Sequence, residues 1–208
     1  MKELMLPAMP LVAILRGLQP ERATEVGDIL YQAGFRLLEV PLNRPGALAA
    51  MQAMRRHLPA DALVGAGTVL SVEQANAVAE AGGQLVISPD CNPLVIARTR
   101  ELGLLSIPGA ATPSEAFAAL RAGAHAVKAF PAEGLPPEVI KAWRTVLPPE
   151  LPILPVGGIT PERLIPYLRA GANGFGLGGA LYQPDLALPE LAERAAVFAA
   201  AWRAAAQA

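Results

Sequence analysis

The chain has 208 residues, 53 % of them hydrophobic, and a formal net charge of -1. That leaves room for one domain with a large core. No apolar run reaches the ~20 residues that span a bilayer, and the interspersed charges give no footprint for nucleic acid. Cys91 is the only cysteine, which excludes an intrachain disulfide and a cysteine-cluster metal site. His57 and His125 are too few for most zinc or iron centres, so no metal is expected. Between Met1 and Pro10 the apolar run is broken by Pro7 and Pro10 and has no cleavage pattern, so a cytoplasmic protein is expected.

One unit then repeats along the chain: a short apolar, β-branched run, a turn, and an Ala-rich amphipathic stretch often ended by glycine. The pattern predicts strands near 11–15, 37–42, 63–69, 85–89, 104–110, 126–131, 153–159 and 174–179, with helices between them. Helix starts are marked by Pro20-Glu21, Ser71-Val72-Glu73, Pro113-Ser114-Glu115, Pro136-Pro137-Glu138 and Pro161-Glu162, which match the N-terminal preference for proline and acid. Helix ends are marked by Gly34, Gly82, Gly103, Gly123 and Gly171. Alternation of this kind belongs to the α/β class and predicts one (βα)8 TIM barrel over residues 1–208. A doubly wound open sheet is the alternative; eight evenly spaced units ending in a glycine-rich strand favour closure.

In such barrels chemistry collects where strands end, so polar residues there are informative. Arg16 ends strand one and Thr68 ends strand three. By the two-residue period, Leu37, Glu39 and Pro41 share a face of strand two, and Ala126, Lys128 and Phe130 share a face of strand six. Lysine stands at only three positions, Lys2, Lys128 and Lys141, in a chain that otherwise uses arginine. An ammonium in the apolar segment Ala126-Val127-Lys128-Ala129 is costly unless it is paired or neutral, and a neutral amine is a nucleophile. The bland alternative is a head group that escapes to the barrel mouth or a structural ion pair, and Glu39 has the same alternative. Together Arg16, Glu39 and Lys128 supply an anion clamp, a proton carrier and an amine. The segments Val156-Gly157-Gly158-Ile159 and Gly176-Leu177-Gly178-Gly179 end the last two strands, where backbone amides can cradle a phosphate or simply make tight turns.

These residues resemble a known family. Ala13-Ile14-Leu15-Arg16-Gly17, Glu39-Val40-Pro41-Leu42-Asn43, Gly65-Ala66-Gly67-Thr68-Val69, Ser88-Pro89, Pro108-Gly109, Val127-Lys128-Ala129-Phe130-Pro131 and Gly157-Gly158-Ile159 match, in order, the 2-keto-3-deoxy-6-phosphogluconate aldolases. The resemblance implies a metal-free class I aldolase, commonly a homotrimer, whose only cofactor-like group is a covalent imine on Lys128. It would split a small phosphorylated sugar acid into pyruvate and glyceraldehyde 3-phosphate. Glu39 would carry protons, Arg16 and Thr68 would hold the pyruvyl carboxylate, and Pro89 and Phe130 would wall the C3 methylene. Gly157, Gly158, Gly178 and Gly179 would hold phosphate, although the serine usual near the last pair is missing from Gly179-Ala180. Asn43 and Val156 resemble the branch acting on the galactonate epimer; gluconate enzymes typically carry arginine and threonine there, and use of both epimers stays open. Glu133 is expected to be a solvated loop charge, and Cys91, His57 and His125 are given no catalytic role. The rival readings are a non-catalytic phosphosugar-binding barrel and a magnesium-dependent, thiamine-phosphate synthase-like barrel.

Overall fold

The computed structural model describes residues 6–205. The first residues of the stretch read for a targeting signal, Lys2 among them, lie outside the described residues. Among the described residues there are nine short strands: β1 (Leu11–Ile14), β2 (Leu37–Pro41), β3 (Leu63–Gly67), β4 (Leu85–Ile87), β5 (Leu105–Ile107), β6 (Gly109–Ala110), β7 (Val127–Ala129), β8 (Ile153–Pro155) and β9 (Phe175–Leu177). They alternate with helices α1 (Ala23–Gln32), α2 (Ala47–His57), α3 (Val72–Glu80), α4 (Pro93–Glu101), α5 (Pro113–Arg121), α6 (Pro137–Arg144), α7 (Leu164–Arg169) and α8 (Leu188–Ala205). The order within the six-stranded sheet is β5-β4-β3-β2-β1-β9, and within the three-stranded sheet β6-β7-β8. The strand pairs described are parallel.

The last strand therefore lies beside the first, which an open doubly wound sheet does not allow. The two sheets also meet at both edges. At one, Pro108 alone separates β5 from β6, and His125 N donates to Ser106 O at 3.0 Å. At the other, Val156 bridges Gly176 and Asn173 N donates to Ile153 O at 2.9 Å. The curled sheet departs from the even eight-stranded pattern at the expected strand 104–110, which Pro108 splits because proline has no N–H for a ladder. The expected strand 153–159 stops at Pro155, since Gly157 and Gly158 take φ of 116° and 58°.

Side chains alternate between two layers, as the period of two requires. Val12, Ile14, Leu37, Leu85, Ile87, Leu105, Ile107, Ala126, Leu154 and Val156 pack inside the ring, whereas Leu11, Ala13, Leu38, Val40, Val127 and Ala129 pack against the helices. All five expected helix-ending glycines have left-handed backbone, with φ from 72° to 103°. The expected starts at Pro20 and Pro161 open as single 3-10 turns before α1 and α7. Ser71 caps α3 through Gln74 N, and Thr112 caps α5 through Glu115 N; each bond measures 3.3 Å.

Candidate active site

A cavity of about 900 Å³ opens at the carboxyl ends of the strands. It gathers Arg16 from beyond β1, Glu39 from β2, Thr68 from beyond β3, Lys128 and Phe130 from β7 and its end, Val156 beyond β8, and Gly178 and Gly179 beyond β9. The two faces read from the sequence are the faces found: Glu39 and Lys128 continue the inward rows of Leu37 and Ala126.

Room for these two polar groups comes from the neighbouring strands. On β3 the inward positions beyond Leu63 are glycine, and a Cβ added to Gly67 would lie 1.8 Å from Glu39 Oε2 and 2.3 Å from its Cδ. Only a residue without a side chain leaves that carboxyl its place. A Cβ on Gly176 of β9 would lie 2.6 Å from the Val156 side chain. Thr68, next to Gly67, holds a positive φ of 55°. That is a costly conformation for a β-branched residue, and such strain concentrates at functional sites.

Burial sets the electrostatics. Glu39 is 2 % exposed and Oε2 has no hydrogen-bond partner among the described residues. Desolvation raises its pKa to about 7, against the pull of the Lys128 and Arg16 charges. Lys128 is 8 % exposed, and beneath it Ile87, Ile107, Leu154 and other apolar side chains close the ring. Desolvation lowers the amine's pKa; Glu39 opposes that shift and Arg16 adds to it. The amine also stands 4.6 Å from the centroid of the Phe130 ring. Burial thus pushes both groups toward their neutral forms, the carboxyl upward and the amine downward, which is the direction that proton transfer and nucleophilic attack need.

The sequence profile of the KDPG and KHG aldolases matches residues 3–194. The chain belongs to that family. The chain is 42 % identical to the 2-dehydro-3-deoxy-6-phosphogalactonate aldolase of Escherichia coli (strain K12) over 199 residues, covering 96 % of this chain and 97 % of that one. A solved structure described as native KDPGal superposes with a TM-score of 0.96 at 41 % identity, covering 98 % and 99 % of the two chains. The KDPG aldolase of Legionella pneumophila, solved with pyruvate captured at low pH as a covalent carbinolamine intermediate, gives a TM-score of 0.78 at 28 % identity, covering 95 % of this chain and 94 % of that one.

In this aldolase two of the residues picked out from the sequence stand outside the cavity lining. Asn43 is exposed in the turn after β2, while its neighbours Arg44 and Pro45 line the mouth. The strand ends at Pro41, so the strand period no longer governs which side chain faces inward. Pro89 sits at the end of the β4 segment, and its carbonyl lies 2.2 Å from where a Cβ on Gly109 would be. Conversely Glu133, expected to be a solvated charge, is exposed but lines the cavity. Gln19, Tyr182 and Gln183 line it as well, and the sequence offered no strand-end signal for residues so deep in loops. His57 and His125 lie outside the lining: His57 Nε2 pairs with Asp28 at 2.8 Å, and His125 Nδ1 accepts from Ser106 N at 3.0 Å. Among the described residues, no three His, Cys, Asp or Glu side chains converge as metal ligands.

Proposed function

We propose that the chain is a class I aldolase that cleaves 2-dehydro-3-deoxy-6-phosphogalactonate to pyruvate and glyceraldehyde 3-phosphate. The observation that carries this reading is a buried amine and a buried carboxyl at the floor of one cavity, each shifted toward its neutral form. Lys128 Nζ attacks the C2 ketone, and Glu39 carries protons while the carbinolamine loses water. The resulting iminium draws the C3–C4 bonding electrons into an enamine as Glu39 takes the proton of the C4 hydroxyl, and the aldehyde leaves. Protonation at C3 and hydrolysis then return pyruvate and the free amine. Arg16 clamps the carboxylate, for which a guanidinium fork is well shaped, and Thr68 shares that task. Phe130 bounds the methylene, and the amides of Gly157, Gly158, Gly178 and Gly179 take the phosphate. Arg44 adds a second guanidinium at the mouth.

In the same reading the chain is one domain that works in the cytoplasm as a homotrimer; among the described residues no helix is long and apolar enough to cross a membrane. Leu70 and Leu94, 47 % and 71 % exposed, offer apolar surface for a subunit contact. The decisive experiment is borohydride reduction with pyruvate followed by mass spectrometry. An adduct on Lys128 is expected, and its absence sinks the mechanism.

A further inference from the structure

Glu133 lies in the 3-10 turn Ala132–Gly134 after β7, and its carboxylate reaches across to the loop after β8. A Cβ on Gly157 would lie 2.2 Å from Glu133 Oε2, and one on Gly158 would lie 3.1 Å from Oε1. Of the charged residues lining the cavity, Arg16, Glu39, Arg44, Lys128 and Glu133, it is Glu133 whose carboxylate reaches this glycine pair. A cation stands beside it: a Cβ on Gly158 would also lie 3.1 Å from Arg163 Nη1, which donates to Gly158 O at 2.7 Å, while Arg163 Nη2 donates to Tyr167 Oη at 3.2 Å.

We propose that Glu133 is a tethered competitor for the Gly157–Gly158 loop, which yields to the substrate's phosphate and drives the aldehyde phosphate out after cleavage. This rests on the phosphate assignment of that loop made above. Two anions cannot share one small cradle without repulsion. Before cleavage the phosphate is joined through the carbon chain to C2 on Lys128, so it meets the loop at the effective concentration of an intramolecular group and wins. The displaced carboxylate has the Arg163 guanidinium nearby to face. Once C3–C4 breaks, the phosphate loses its tether while the carboxylate keeps its own. The balance then reverses, so the same side chain tolerates the bound ester and hastens release of the fragment. Release of this kind limits turnover in many enzymes.

The test uses glycerol 3-phosphate, which keeps the phosphate end and has no carbonyl to react, as an inhibitor of cleavage. Glu133→Gln keeps the shape and removes the charge. Its inhibition constant should be roughly tenfold lower than that of the native protein, a gap that narrows at high salt because a charge causes it. KM and kcat should fall together in this variant, since binding tightens and release slows, whereas a merely structural role would lower kcat/KM. Glu133→Asp, with its charge on a shorter arm, should fall between. Borohydride trapping of pyruvate on Lys128 in each variant certifies the fold. Equal or weaker inhibition of Glu133→Gln overturns the proposal. If glycerol 3-phosphate inhibits neither protein while the adduct forms, the phosphate assignment falls and takes the proposal with it. Loss of the adduct in the native protein overturns the imine reading beneath both.

Discussion

Gly67→Ala isolates the placement of Glu39, the acid of the proposed mechanism, from its chemistry. The new methyl carbon would lie 1.8 Å from Glu39 Oε2, 2.3 Å from Cδ and 2.5 Å from Oε1. Ordinary contact requires the carboxyl to retreat by about 1.5 Å or more, since carbon and oxygen repel steeply below their optimal separation. A shift of that size in a group that must meet a specific proton costs on the order of 10²-fold in kcat/KM, about 2.7 kcal/mol of transition-state stabilisation. Overpacking itself costs about 1–3 kcal/mol of stability, at the low end if the acid swings away. Gly65→Ala is the control, because its Cβ would lie 1.9 Å from Leu85 O, a backbone atom that cannot rotate aside. Urea unfolding and steady-state cleavage should therefore separate the two: Gly65→Ala loses mainly stability, Gly67→Ala mainly activity. Adding Glu39→Asp to Gly67→Ala shortens the acid by one methylene, so the double variant should exceed the activity expected from the two single losses. Near-native kcat/KM in a folded Gly67→Ala protein would refute the reasoning, because the acid would then tolerate displacement.

Glu39→Gln tests the same acid through stability. A carboxyl raised from 4.5 to about 7 favours the protonated fold, so its contribution is fully present below pH 4.5 and is lost as pH climbs to about 7. The native protein should lose about 3 kcal/mol across that window, and Glu39→Gln, expected to lose most turnover, should lack that slope in denaturant titrations; an unchanged slope would assign the pH dependence elsewhere. Val156→Thr places a hydroxyl on the cavity wall where a 7 % exposed valine cannot hydrogen-bond. The ratio of kcat/KM for the gluconate over the galactonate epimer should rise about tenfold, and a ratio unmoved by the hydroxyl would remove this position from C4 recognition.

Much of the fold could be read because two periods are written into the chain. The inward row Leu37-Glu39-Pro41 and the glycine stops at Gly34 and Gly171 follow from local geometry that every strand and helix obeys. The strand break at Pro108 is not legible, because an apolar run looks continuous whether or not a ladder bond is missing from it. Lys128 and Glu39 stood out because a charge in an apolar strand is physically expensive. The space that Gly67 leaves for Glu39 is a relation across strands, and no residue's own neighbours announce it. Turn residues were the least legible: once β2 ends, nothing periodic says that Asn43 faces solvent while Arg44 turns to the mouth, or that Glu133 reaches a loop two dozen residues further on.

The two edges where the sheets meet have a consequence for heat and pressure. Lys128 belongs to the three-stranded piece, whereas Glu39 lies in the six-stranded one and Arg16 follows its strand β1. Any loosening at Pro108 or at the Val156–Gly176 bridge alters the distance between Lys128 and Glu39, across which the proposed mechanism works, even while every helix stays wound. Inactivation can thus run ahead of melting, with the reaction's two halves drifting apart as intact slabs.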